Sequence, residues 1–138
     1  MENNAITIET TVNAPIGKVW EYWNNPEHIK QWAFAADTWH APHAENDIQV
    51  GGKFSTTMAA KDGSVSFDFQ GRYDNVKLHK YINYTFDDGR AVEITFLANG
   101  EQTEFIQIFE AEVANDIEMQ RAGWHAIFEN FKKLVEQN

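Results

Sequence analysis

The sequence predicts an α+β fold in which a long C-terminal helix closes one face of a curved antiparallel sheet of about six strands, with two short helices after the first strand. Three observations carry this. From Ile117 the chain reads IEMQRAGWHAIFENFKKLVEQN, where Trp124, Phe128, Phe131 and Val135 recur at i, i+4, i+7 and i+11 and Ile127 and Leu134 widen the stripe. From Gly51 onward, apolar and polar residues alternate between turn-forming dipeptides. Ahead of that meander, two short helical segments follow one alternating strand.

Taken in order, Ile6 to Val12 alternates as a half-buried strand does. Pro15 opens a short helix whose apolar side is Val19, Trp20 and Trp23, and Asn24-Asn25-Pro26 stops it. A second short helix runs from Glu27 to Trp32. Ala33 to Val50 has little periodicity and holds Pro42, so it reads as a long connection across the sheet edge, a length at which loops are often functional. Strands are then expected at Lys53–Ala60, Val65–Val76, Tyr81–Phe86, Ala91–Leu97 and Thr103–Glu112. The Asp88-Gly89 and Asn99-Gly100 dipeptides supply the positive φ angles that tight hairpins need. Gly123 interrupts the stripe of the last helix, where glycine costs about 1 kcal/mol relative to alanine. Its presence suggests close approach of another backbone or of a bound molecule; a shallow kink or tight helix–sheet contact is the plainer account.

At 138 residues the chain is expected to form one domain, 1–138, large enough to bury a sizeable core. It has no cysteine, which removes disulfides, thiolate nucleophiles and cysteine metal sites. The opening MENNAITIETTV has neither a basic leader nor a continuous apolar stretch, and no long apolar run follows, so a soluble cytoplasmic protein without a membrane span is expected. A formal charge of -10, with the basic residues scattered, argues against nucleic-acid binding.

A helix laid over a concave sheet rich in aromatics either fills the gap or encloses a cavity. Trp39, Phe54, Met58, Phe67, Phe69, Tyr84, Phe96, Phe109, Trp124 and Phe128 are the candidate ligand-binding residues, with Phe86 and Phe105 as further lining candidates. Each one taken singly also fits an ordinary packing role. Polar groups that could face such a cavity are Asp68, Tyr84, Gln107 and His125. His40 and His43, with Asp37, Glu45 and Asp47 nearby, form the one close histidine pair, but Pro42 lies between them and no third histidine is near. No metal and no cofactor is expected. Asp68 lies on the opposite side of the pleat from Phe67 and Phe69; it either faces water or, if the long connection covers it, is desolvated. No GxSxG, HExxH, phosphate-loop or dinucleotide motif occurs. Catalysis would have to use His125, Asp68 or Tyr84.

Four segments match a known pattern: VNAPIGKVWEYWNNPEHIKQW, NDIQVGGKF, MAAKDGSVSFDFQGRYDNV and RAGWHAIFENFKKLVE. In this order and spacing the chain resembles, over nearly its whole length, the branch of the START-related SRPBCC superfamily named for the activator of heat-shock-protein-90 ATPase. The resemblance implies a helix-grip fold, with a sheet wrapped around the terminal helix and a cavity for hydrophobic molecules. Members of that superfamily include lipid carriers, aromatic polyketide cyclases and chaperone-binding domains, so the fold does not fix the function. The first predicted strand begins within a few residues of Met1, so no counterpart of the separate chaperone-binding domain of the eukaryotic activator is expected. Three readings follow: a carrier of an apolar or aromatic small molecule, a cyclase- or hydrolase-like enzyme, and a chaperone-associated interaction domain.

Overall fold

The computed structural model describes residues 5–111 and 116–138. The chain runs β1 (Ala5–Val12), α1 (Ile16–Asn24), α2 (Pro26–Trp32), β2 (Trp39–Asn46), β3 (Lys53–Ala60), β4 (Ser66–Lys77), β5 (Tyr81–Phe86), β6 (Ala91–Asn99), β7 (Gln102–Glu110) and α3 (Ile117–Gln137). All strands join one antiparallel sheet in the order β1-β7-β6-β5-β4-β3-β2. This is a helix-grip architecture: the sheet curls around α3, while α1 and α2 bridge from one edge strand to the other. No helix among the described residues is long and apolar enough to cross a membrane.

The sheet has seven strands rather than about six, and the added one is β2, inside the segment read above as a connection. Register shifts between His40 and His43, so Ala41 and Pro42 together oppose Met58 of β3. A bulge on an edge strand is where proline is tolerated, because its missing N–H interrupts no ladder bond. That bulge also breaks the alternation by which strands are recognised. β6 runs two residues beyond its expected end, and Glu112, the expected end of the last strand, lies outside the described residues.

Local chemistry explains the boundaries. Asn25 Oδ1 accepts from the Glu27 N–H at 3.0 Å, and Pro26 occupies the first turn of α2. Asp116 caps α3 by accepting from Met119 N–H. Gly89 and Gly100 turn their hairpins with φ of 94° and 64°. Gly71 serves a different need: a Cβ there would stand 2.4 Å from the Thr85 carbonyl oxygen and 2.8 Å from Phe54 Cζ. Its lack of a side chain lets the edge of the Phe54 ring approach the β4 backbone closely.

The core sits between the β1, β6 and β7 side of the sheet and the C-terminal half of α3. Trp23 of α1 contacts Phe105, Phe128 and Phe131 with ring centroids 4.8, 5.7 and 5.0 Å away, and it stacks on Trp32 at 4.4 Å. Phe131 and Val135 are fully buried. The same end of α3 is tied down by polar contacts: Glu136 Oε2 accepts from Asn13 N–H at 2.8 Å, Lys132 Nζ donates to the Thr11 carbonyl at 2.8 Å, and Asn130 Nδ2 donates to the Phe34 carbonyl.

Candidate functional site

The N-terminal half of α3 leaves the concave face only partly covered. It reaches β4 through Trp124, whose indole meets Phe69 and Phe109, each at 5.7 Å. Beneath it, Phe54 and Met58 of β3, Phe69 of β4 and Tyr84 of β5 point inward from alternate strand positions, yet all four stay half-buried, as does Trp124. They surround a cavity of about 80 Å³ that Trp23, Trp32, Asn46, Tyr73 and Gln107 also border. A larger cleft of about 580 Å³ opens beside it, bordered by Phe67, Asp68, Gln70, Asp87, Asp88, Arg90, Met119, Gln120 and Gly123. Phe69, Phe86, Trp124 and Ile127 belong to both walls, so these four side chains separate the inner space from the outer one.

The polar lining divides into bonded and unbonded groups. Tyr73 donates its hydroxyl to Asn46 Oδ1, Asn46 Nδ2 donates to the Asn24 carbonyl at 2.7 Å, and Asn24 Nδ2 donates to the Trp20 carbonyl at 3.0 Å. This chain ties β4, β2 and α1 together. Burial pushes the Tyr73 phenol well above its usual range, and burial does the same to Tyr84 against the opposing pull of Arg90, so both phenols stay neutral. Like the Tyr84 hydroxyl, Gln107 stands outside this chain of bonds. It takes the inward register of β7 between Ile8 and Ile94, is 2% exposed, and its Oε1 has no hydrogen-bond partner among the described residues.

The other residues singled out from the sequence are dispersed. Phe96, Phe109 and Phe128 are packed in the core and border neither space. Phe67 is 53% exposed at the outer cleft, and Trp39 stacks on it at 5.8 Å. Asp68 is exposed and accepts from Thr57 Oγ1 at 2.7 Å, so of its two readings the water-facing one holds. His125 points outward, 3.6 Å from Glu129, and borders neither space. Tyr84, Asp68 and His125 therefore do not converge on one cavity. His40 and His43 are exposed on β2, and no three histidine, cysteine or carboxylate side chains gather among the described residues. Next to Gly123, an added Cβ would meet nothing within 4 Å, so no backbone crowds it; it borders the open cleft instead.

Trp23, Trp32 and Asn46 went unnamed as lining residues in the sequence reading. The two tryptophans carried a signal, since each lies on the apolar side or at the end of a short helix that must face the sheet. Asn46 carried none, because its strand was hidden by the bulge.

These features define a helix-grip protein whose grip is closed at one end of the helix and open at the other. The chain belongs to the family described as activator of Hsp90 ATPase homolog 1-like protein, whose model matches residues 13–136, within the SRPBCC superfamily. That family fold commonly binds hydrophobic ligands. The chain is similar to an AHSA1-like protein from Aeromonas hydrophila, with 38% identity, a TM-score of 0.90, and coverage of 96% of this chain and 92% of that one. It is similar to the Chr148 protein of Cytophaga hutchinsonii at 51% identity and TM-score 0.84, covering 99% and 94% of the two chains. A protein from Chromobacterium violaceum at 23% identity shares the fold with a TM-score of 0.86 over 98% and 99% of the chains. No curated protein matches.

Proposed function

We propose that the protein binds an apolar or aromatic small molecule in the groove between the sheet and the N-terminal half of α3. One observation carries this reading: four large side chains of the concave face, Phe54, Met58, Phe69 and Tyr84, and Trp124 of α3 across from them remain half-buried around an unfilled space. In a core built for stability alone such residues interlock to crystal-like density. Every 100 Å² of their apolar surface that a ligand removes from water contributes about 2.5 kcal/mol.

The inner cavity, about 80 Å³, is roughly half the ~150 Å³ apolar cavity that admits benzene. A ring-sized ligand therefore needs the Trp124 indole to turn aside, which merges the inner space with the outer cleft. Titration with naphthalene, dodecanol and 2-naphthol, followed by two-dimensional NMR, tests the reading. Saturable shifts at the Trp124 indole N–H and the Gln107 carboxamide are expected; shifts restricted to the outer surface overturn it. The enzyme reading has less support, because its three candidate residues border different surfaces.

A further inference from the structure

We infer that the occupant of this groove is a molecule without negative charge that carries a hydroxyl on an apolar ring or chain, and that the hydroxyl docks on the Gln107 carboxamide. The inference rests on the groove reading above and adds the chemistry of the ligand. Gln107 stands in an inward row of β7 whose other members are Thr103, Phe105 and Phe109. Thr103, also buried, bonds its hydroxyl to the Ala14 carbonyl at 2.9 Å, so it is satisfied within the protein. Gln107 has no such partner for Oε1, though Ile8 and Ile94 seal it on both sides and its exposure is 2%. A buried polar atom without a partner is costly, and native structures retain one where something else supplies the missing bond. Gln107 borders the inner cavity, so that supplier can come from the groove. A hydroxyl answers either atom of the carboxamide, since it both donates and accepts.

The remaining lining selects against negative charge. Around the inner cavity the polar groups are Glu45, Asn46, Thr56, Tyr73, Tyr84 and Gln107, with no cation among them. At the outer cleft the one cation among the described residues is Arg90, and it is already engaged. Its Nε donates to Asp88 Oδ2 at 2.8 Å, and its guanidinium lies 5.1 Å from the centre of the Phe86 ring. Asp68, Asp87 and Asp88 border the same cleft. A carboxylate ligand would pass the uncompensated charges of Asp68 and Asp87 and then lose its hydration with no counter-ion among the residues that line the inner cavity. This sets the groove against fatty acids and aromatic acids in their ionised forms.

Three probes that share one ring system separate the alternatives: naphthalene, 2-naphthol and 2-naphthoate at neutral pH, measured by calorimetry on the full chain and on Gln107→Leu. We expect 2-naphthol to bind about tenfold tighter than naphthalene, 2-naphthoate to bind weakest, and the naphthol-to-naphthalene ratio to fall to near one in Gln107→Leu. Gln107→Met, closer in length to glutamine, repeats the comparison if leucine disturbs folding. Failure of all three probes to bind the parent chain removes the groove reading itself. Naphthalene binding as tightly as 2-naphthol, 2-naphthoate binding tightest, or a naphthol preference that survives the substitution overturns the Gln107 assignment while leaving the groove reading in place.

Discussion

Replacing Gln107 by leucine should make the ligand-free protein more stable. The side chain is 2% exposed between Ile8 and Ile94, which are 4% and 0% exposed, and its Oε1 makes no bond among the described residues. Leaving such an acceptor buried costs about 1–3 kcal/mol. Leucine removes that cost and places methyl groups in an aliphatic row. It has one heavy atom fewer, and the small void this leaves returns about 0.5–1 kcal/mol of the gain. The net expectation is a stabilisation centred on about 1 kcal/mol, or about 3 °C in Tm for a domain of this size. Guanidinium unfolding measures it directly, with an unchanged slope showing that the same surface is exposed on unfolding. A variant no more stable than its parent refutes the reasoning, because the carboxamide must then hold a structural bond that leucine cannot replace.

Further expectations concern the scaffold. Gly71→Ala should destabilise by about 2–3 kcal/mol through overpacking, because its Cβ would stand 2.4 Å from the Thr85 carbonyl oxygen; a denaturation midpoint equal to the parent's contradicts this. Tyrosine ionisation, followed at 295 nm, should lag that of the unfolded chain. Burial, with the hydrogen bond to Glu93 and its charge, pushes Tyr81 up to about 12, and burial raises Tyr73 and Tyr84 further. Phenols whose folded pKa lies above the unfolded value near 10 contribute stability fully below pH ~10 and lose it as pH climbs through the folded value. An absorbance curve that matches the denatured protein's would dismiss this. Amide hydrogen exchange along α3 should be slower after Ile127 than before Gly123, and uniform protection would remove the distinction drawn between the two halves of the helix.

The sheet-and-helix plan was legible because its signals are periodic. Ala91 to Leu97 alternates up to the Asn99-Gly100 turn, and the structure pairs Asn99 with Gln102 and Leu97 with Glu104 across it. The apolar stripe of α3 faces inward as its spacing required, with Ile127, Phe128, Phe131 and Val135 all buried. β2 escaped because Pro42 and the bulge destroy the two-residue period. The lining of the groove was legible only in part. Phe54 and Phe96 both occupy inward positions, but one is half-buried and the other 2% exposed. What separates them is cover from outside the sheet: Trp20 of α1 lies 5.2 Å from the Phe96 ring, whereas the ring neighbours of Phe54 are Tyr73, Tyr84 and Phe86 of the sheet itself, and alternation along a strand says nothing about that. Phe67 and Phe69 make the same point on a single strand: they share a face, and the outer of the two is 53% exposed. Gln107 was readable, since the inward register of β7 runs through Thr103, Phe105 and Phe109 and leaves glutamine in an apolar row.

The unequal fastening of α3 connects these observations. Its last turns are held by Phe131 among Trp23, Trp32 and Phe105, by Lys132 on the Thr11 carbonyl and by Glu136 on Asn13. Its first turns carry Ile117 and Met119 at 41% and 60% exposure, a glycine with open space beside it, and a tryptophan whose indole rests on one ring from β4 and one from β7. A helix fastened evenly along its length could widen the groove only by breaking its best-packed contacts. Fastened at one end, it can yield at the other while the core around Phe131 stays intact. The half of the helix with fewer ring contacts and polar ties is therefore the half that borders both the cavity and the cleft, so on the proposed reading an occupant is admitted chiefly at the expense of the Trp124 contacts.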